Sequence, residues 1–208
     1  MSVVNHEAAY IFVHNPKAAG TSVETIMGGT SHETIWGFDS KGLALDDYFK
    51  FMIGRNPYTR LASCFNFFPK MRFPKGRWEH KHRLIDIEHI LSDFEIFVNN
   101  LDELFDFGME NYSENVTSSK TVYDHLAPQY YWACISGVNR MDRILKFEDL
   151  ENEWNSVRER VRAGGVKLPH RNKSSGNIIA PEDMSKKTIS IINEKYARDF
   201  ELLGYPKL

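Results

Sequence analysis

Cysteine is scarce in this chain, long apolar runs are missing, and neither sign of charge prevails. Only Cys64 and Cys134 occur in 208 residues, both in apolar or aromatic surroundings, and two such cysteines read as buried thiols rather than a disulfide. No apolar stretch approaches the roughly 20 residues that a membrane-spanning helix needs. Residues 1–9 lack the basic-then-apolar order of a secretion leader. The expectation is a cytoplasmic chain with no membrane span. A net charge of −2 gives no reason to expect nucleic acid or an anionic membrane as a partner. Internal repeats and low-complexity tracts are also lacking.

What is present suits one folded domain over residues 1–208. Hydrophobic residues make up 42% and charged residues 26%, which is ordinary for a globular protein long enough to bury a core. Residues 9–14 and 49–53 are short aromatic and aliphatic runs that predict buried strands. Each is stopped by a turn containing proline and followed at once by a helical pattern, at 21–27 and from Pro57 onward. Residues 143–147 form a third strand-like run, followed by an amphipathic helix over 148–161. Between these lie an irregular stretch at 30–41, a basic and aromatic excursion at 69–83, and a capping box, Ser92-Asp-Phe-Glu95, that opens a helix. A polar loop is expected at 111–120, a short helix within 128–135, and a last helix from Pro181 to Gly204. Strands alternating with helices predict an α/β fold around a mostly parallel sheet.

Parallel sheets bind ligands at the carboxyl ends of their strands. Two strand–turn–helix corners fall on that edge. One, at Asn15-Pro16-Lys17, offers backbone N–H groups, a helix N-terminus and the Lys17 ammonium to an anion. The other offers Arg55, Arg60 and the Ser63 hydroxyl. Two anion sites on one edge suit a ligand with phosphates at two places. In a nucleotide kinase loop the lysine follows the last glycine, whereas Lys17 precedes Gly20 and the next residues are Thr21 and Ser22. The second strand runs into Arg55, where an ATPase usually places an acid for Mg²⁺. Fixed cations in place of a metal are therefore expected.

With both corners in view, Phe12-Val-His-Asn-Pro-Lys-Ala-Ala-Gly-Thr-Ser22 resembles the 5′-phosphosulfate loop of sulfotransferases. Phe51-Met-Ile-Gly-Arg-Asn-Pro-Tyr-Thr-Arg-Leu-Ala-Ser63 resembles their 3′-phosphate motif. The likeness is to the carbohydrate-type, family 2 enzymes, and continues through His125-Leu-Ala-Pro-Gln129, Phe147-Glu-Asp-Leu150, Leu168-Pro-His-Arg-Asn172 and residues 196–205. It implies a P-loop-like central parallel sheet flanked by helices. It also implies 3′-phosphoadenosine 5′-phosphosulfate (PAPS) as sulfuryl donor, no metal, and an acceptor hydroxyl expected on a glycan. By the same resemblance, Lys17 contacts the bridge to sulfate, and Ala18, Ala19, Gly20, Thr21 and Ser22 cradle the 5′-phosphate. Arg55 and Ser63 hold the 3′-phosphate, and Arg171 and Lys173 close over the nucleotide. Asn15 and Gly54 depart from the family pattern, which more often has aliphatic residues at these two places.

Moving a sulfuryl group to a hydroxyl requires a base for the acceptor proton. His32, just past the first helix, is the first candidate, against a purely structural or solvent-exposed role. His125 and Glu33 are alternatives. His14, on the strand, is expected to be packed and hydrogen-bonded, and His80 and His82 fall in the basic excursion. A metal-dependent nucleotide kinase and a non-catalytic nucleotide- or glycan-binding relative are the competing functional classes. The sequence leaves the oligomeric state undetermined.

Overall fold

In the computed structural model, residues 2–28, 32–70, 78–80, 83–110, 117–166, 168 and 179–208 are described. In chain order the elements are strands β1 (Val3–Asn5) and β2 (Tyr10–Val13), helices α1 (Gly20–Met27) and α2 (Ile35–Ser40), strand β3 (Phe49–Gly54) and helix α3 (Pro57–Phe65). Strands β4 (Trp78–His80) and β5 (Arg83–Ile85) come next, then helices α4 (Ile87–Ile90), α5 (Phe94–Asn99), α6 (Leu101–Glu110), α7 (Thr117–Leu126) and α8 (Tyr130–Ala133). The chain ends with strands β6 (Cys134–Ile135), β7 (Val138–Asn139) and β8 (Arg143–Lys146) and helices α9 (Leu150–Asn155), α10 (Lys186–Lys195) and α11 (Ala197–Leu203). These elements group into two compact units. One comprises Met1–Asn56, Pro128–Lys173 and Arg198–Pro206; the other comprises Pro57–Ala127, Ser174–Ala197 and Lys207–Leu208.

The first unit holds the central sheet, in the order β1-β2-β3-β8. The β2–β3 and β3–β8 pairs are parallel, and β1, which the sequence pattern did not reveal, adds antiparallel to β2. Both faces are covered, which is why β2 and β3 read as continuous apolar runs rather than alternating ones. Tyr10, Phe12, Phe51, Ile53 and Leu145 point to one face and pack with Val23, Trp154, Val157 and Val161. Ile11, Val13 and Met52 point to the other and meet Ile35, Leu45, Trp132 and Met141. Each fully buried aromatic or aliphatic side chain of the sheet contributes about 1.5–3 kcal/mol.

Several local expectations are corrected. The stretch expected to be irregular contains α2, because Thr34 caps it by accepting from the Gly37 N–H. Helix α5 is capped by Asp93, which accepts from the Glu95 and Ile96 N–H groups, while the Ser92 hydroxyl donates to the His89 carbonyl instead. Residues 117–120, expected in a loop, open α7. The last helix breaks at Tyr196 into α10 and α11. The helix after β8 ends by Asn155 and continues as turns.

The second unit is helical, with the antiparallel β4–β5 pair overlapping the stretch at 69–83 that was expected to be an excursion. Its interior is aromatic: Phe65, Phe68, Phe94 and Phe97 pack ring against ring. The residues at helical spacing along α5 and α6, Phe94, Phe97, Val98, Leu101 and Leu104, are all buried. Neither cysteine is in a disulfide; Cys64 is buried and its thiol faces the His125 carbonyl, while Cys134 is only half-buried.

Candidate active site

Parallel register places the ends of β2, β3 and β8 on one edge, so the loops starting at His14, Arg55 and Phe147 all leave from it. The β2 loop enters α1 through Lys17 and Ala19, both left-handed, with φ of 65° and 58°. For residues with a Cβ this conformation costs on the order of 1 kcal/mol or more each. The N-cap is Ala19, whose side chain makes no capping bond. A helix entry bent this way gets no capping bond from the Ala19 side chain, and the Ser22 N–H closes the first turn on the Ala19 carbonyl at 2.9 Å. Ala18 and Ser22 are buried, Lys17 and Ala19 half-buried, and Thr21 exposed.

Gly20 is required by a close approach. A Cβ there would lie 2.0 Å from Cδ2 and Nε2 of His14. His14 is 7% exposed, and its Nδ1 pairs with Glu24 Oε1 of α1 at 2.6 Å. The expectation of a packed, hydrogen-bonded His14 therefore holds, with the imidazole wedged beneath the helix entry. Ser2, unnoticed in the sequence, is buried and accepts from the His14 N–H at 3.0 Å while donating to the Glu33 carbonyl at 2.7 Å. That link brings the 32–33 segment to the end of β2. The His32 ring accordingly stands 4.8 Å from His14 between centroids and 6.5 Å from Trp132. His32 itself is exposed. The Glu33 carboxylate is taken up by Lys41, which makes it the weaker candidate base.

At the second corner Arg55 Nη1 donates to the Lys17 carbonyl at 3.1 Å, so the structure joins the two sequence motifs directly. The guanidinium lies 4.2 Å from the centre of the Phe147 ring, in cation–π geometry. Glu148 stands just past the end of β8. In the structure its Oε1 accepts from the Asn56 N–H at 3.0 Å and its Oε2 from the Tyr205 hydroxyl. Burial, then that bond, pushes the Tyr205 phenol well above its usual range. Both departures from the family pattern have local causes. A Cβ on Gly54 would come within 2.6 Å of Leu203. Asn15 uses its amide to reach the Ile53 carbonyl at 3.2 Å and Gln129 Oε1 at 2.7 Å.

Other candidates belong to the second unit or lie outside the described residues. Ser63 lies on α3, in the second unit, and is buried. His125 belongs to the same unit; it is buried and stacks on Phe67 at 4.7 Å and 9°, the geometry of a core ring. Arg171, Lys173 and His82 lie outside the described residues, and for His80 the backbone alone is described. Among the described residues no cluster of three or more His, Cys, Asp or Glu is placed to hold a metal. No described helix is long and apolar enough to cross a membrane.

A parallel sheet whose edge presents a left-handed turn into a helix, a lysine and a linked arginine defines an α/β protein of the P-loop-like class. Residues 2–206 match the model of the Sulfotransferase family, and the chain belongs to that family. Sulfuryl transfer is the chemistry this membership supports. No curated protein and no solved structure matches the chain.

Proposed function

We propose that residues 1–208 form one catalytic domain that takes a sulfuryl group from PAPS and places it on a hydroxyl of a glycan, in the cytoplasm. The observation that carries this reading is the contact between the Arg55 guanidinium and the Lys17 carbonyl. It draws a second fixed cation to the loop whose left-handed residues, Lys17 and Ala19, lead into α1. The bound donor supplies a sulfuryl group already activated by its phosphate leaving group. Lys17 and the backbone N–H groups of residues 18–21 bind that phosphate and neutralise the charge that grows on it as transfer proceeds, which favours the transition state over the ground state; the Ser22 N–H is spent on the Ala19 carbonyl. Arg55, with Ser63, Arg171 and Lys173 by resemblance, binds the 3′-phosphate end.

His32 takes the acceptor's proton. It is exposed, as a group meeting an incoming acceptor has to be, and sits against His14, which Glu24 holds in place. Three residues on, α2 begins and carries Trp36, 60% exposed, a flat apolar face with a polar N–H suited to a sugar ring. The test is calorimetry with 3′-phosphoadenosine 5′-phosphate against ATP and Mg²⁺, followed by an acceptor screen with labelled donor. The bisphosphate is expected to bind without metal, and Lys17→Ala and Arg55→Ala each to lower transfer by about 10²-fold or more. Tight binding of ATP with Mg²⁺ and none of the bisphosphate would overturn the proposal in favour of a kinase.

A further inference from the structure

Gln129 is fully buried, at 0% exposure, yet every polar atom of its side chain is committed. Its Oε1 accepts from the Arg55 backbone N–H at 3.0 Å and from Asn15 Nδ2 at 2.7 Å. Its Nε2 donates to the Arg55 carbonyl at 2.7 Å. The side-chain amide thus pairs with both backbone groups of Arg55, as a neighbouring strand would, just past the point where β3 ends. Asn15 extends the same chain of bonds to the Ile53 carbonyl. The far end is fixed as well: the Gln129 and Tyr130 N–H groups donate to Asp199 Oδ2 and Oδ1 at 2.8 and 2.9 Å, and Asp199 is fully buried. Asn15 Oδ1 is buried and makes no hydrogen bond. An acceptor left without a partner costs about 1–3 kcal/mol, so the asparagine is held by what its Nδ2 does.

We infer that Gln129 is a positioning residue for the donor site: an amide brace, anchored by Asp199, that sets the separation of the Lys17 loop and Arg55. The inference rests on the reading of these two loops as the donor's cradle. A brace of this kind is worth building because the Lys17 loop is strained and an anion clamp loses strength steeply when its donors drift. Gln129 touches neither anion position itself. It acts through the backbone of Arg55 and through Asn15.

The test uses Gln129→Glu, which keeps size and the accepting oxygen but turns Nε2 into a second oxygen facing the Arg55 carbonyl. The charged groups near this position are the Asp199 carboxylate, bonded to the adjacent N–H groups, and the Arg55 guanidinium. Two readouts are taken on the full chain. Without any nucleotide, hydrogen exchange of the amides of residues 15, 17–20 and 55–56 should quicken in the variant while those of β2 and β3 stay protected. By calorimetry at pH 8, the bisphosphate should bind at least about tenfold more weakly, since a buried hydrogen bond is lost and two oxygens are left facing each other. Binding should recover as the pH falls and the new carboxyl gains a proton to donate, a recovery that general loosening of the fold would not produce. Asn15→Leu, which removes one arm and leaves the Arg55 pair, should weaken binding about threefold, and it decides the matter if Gln129→Glu does not fold.

Unchanged exchange in the loop, or a variant that binds like wild type at pH 8, overturns the brace and leaves the donor reading intact. Quickened exchange in a chain whose wild type binds no bisphosphate establishes the brace and overturns the donor reading.

Discussion

At the scale of single residues, the site is shaped by where atoms have no room. Gly20 exists because the His14 imidazole fills the place of its Cβ. Gly20→Ala is expected to cost about 1–3 kcal/mol, the range for inserting a methyl into filled space. His14→Ala should make the same substitution nearly free, and a double-mutant cycle on urea midpoints measures that coupling. A melting curve for Gly20→Ala equal to wild type would mean that the imidazole is not seated there. Gly54 and Leu203 repeat the arrangement one strand over. Glycine at 20 is visible in any reading of the loop. That a histidine six residues earlier requires it is not, because the contact depends on how α1 folds back over the end of β2.

At the scale of elements, caps and strand ends decide more than propensity does. Ser92-Asp-Phe-Glu95 has the form of a capping box with serine as the cap, but the carboxylate of Asp93 takes both N–H groups. Asp93→Ala is therefore expected to lower stability by about 1 kcal/mol, and Ser92→Ala by a few tenths; chemical denaturation of the two variants distinguishes them, and the reverse order would restore Ser92 as the cap. The helix break at Tyr196 has the same lesson. The apolar spacing of 189, 192, 196 and 200 continues across it, so periodicity alone reads one helix. The Tyr196 hydroxyl bonds the Leu126 carbonyl, and the chain turns there.

Over the whole molecule, stability should fall on the alkaline side. The Tyr205 phenol is raised in the folded state by burial and by Glu148, and the Cys134 thiol is raised chiefly by burial. A group with a raised folded pKa binds its proton more tightly in the native state. Its contribution is full below the unfolded value, about 8.5 for cysteine and about 10 for tyrosine, and is lost as pH climbs beyond it. Urea midpoints measured from pH 7 to 11 should decline over the upper part of that range. Tyr205→Phe should flatten the part above about pH 10; an unchanged slope would remove Tyr205 as its cause.

The sequence by itself determined the strand–turn–helix corners, the order of Lys17 and Gly20, and the family, because these are local: periodicity, proline and glycine placement, and a lysine's distance along the chain from a turn need no distant partner. It also marked Asn15 and Gly54 as unusual without explaining either. Only the tertiary structure decided that Arg55 reaches the Lys17 carbonyl, that Ser2 draws His32 to the end of β2, and that Gln129 joins Asn15 to Arg55. Those bonds link residues 31 to 114 positions apart. Their existence depends on parallel strand register, which brings three loops to one edge and which no single stretch of sequence encodes.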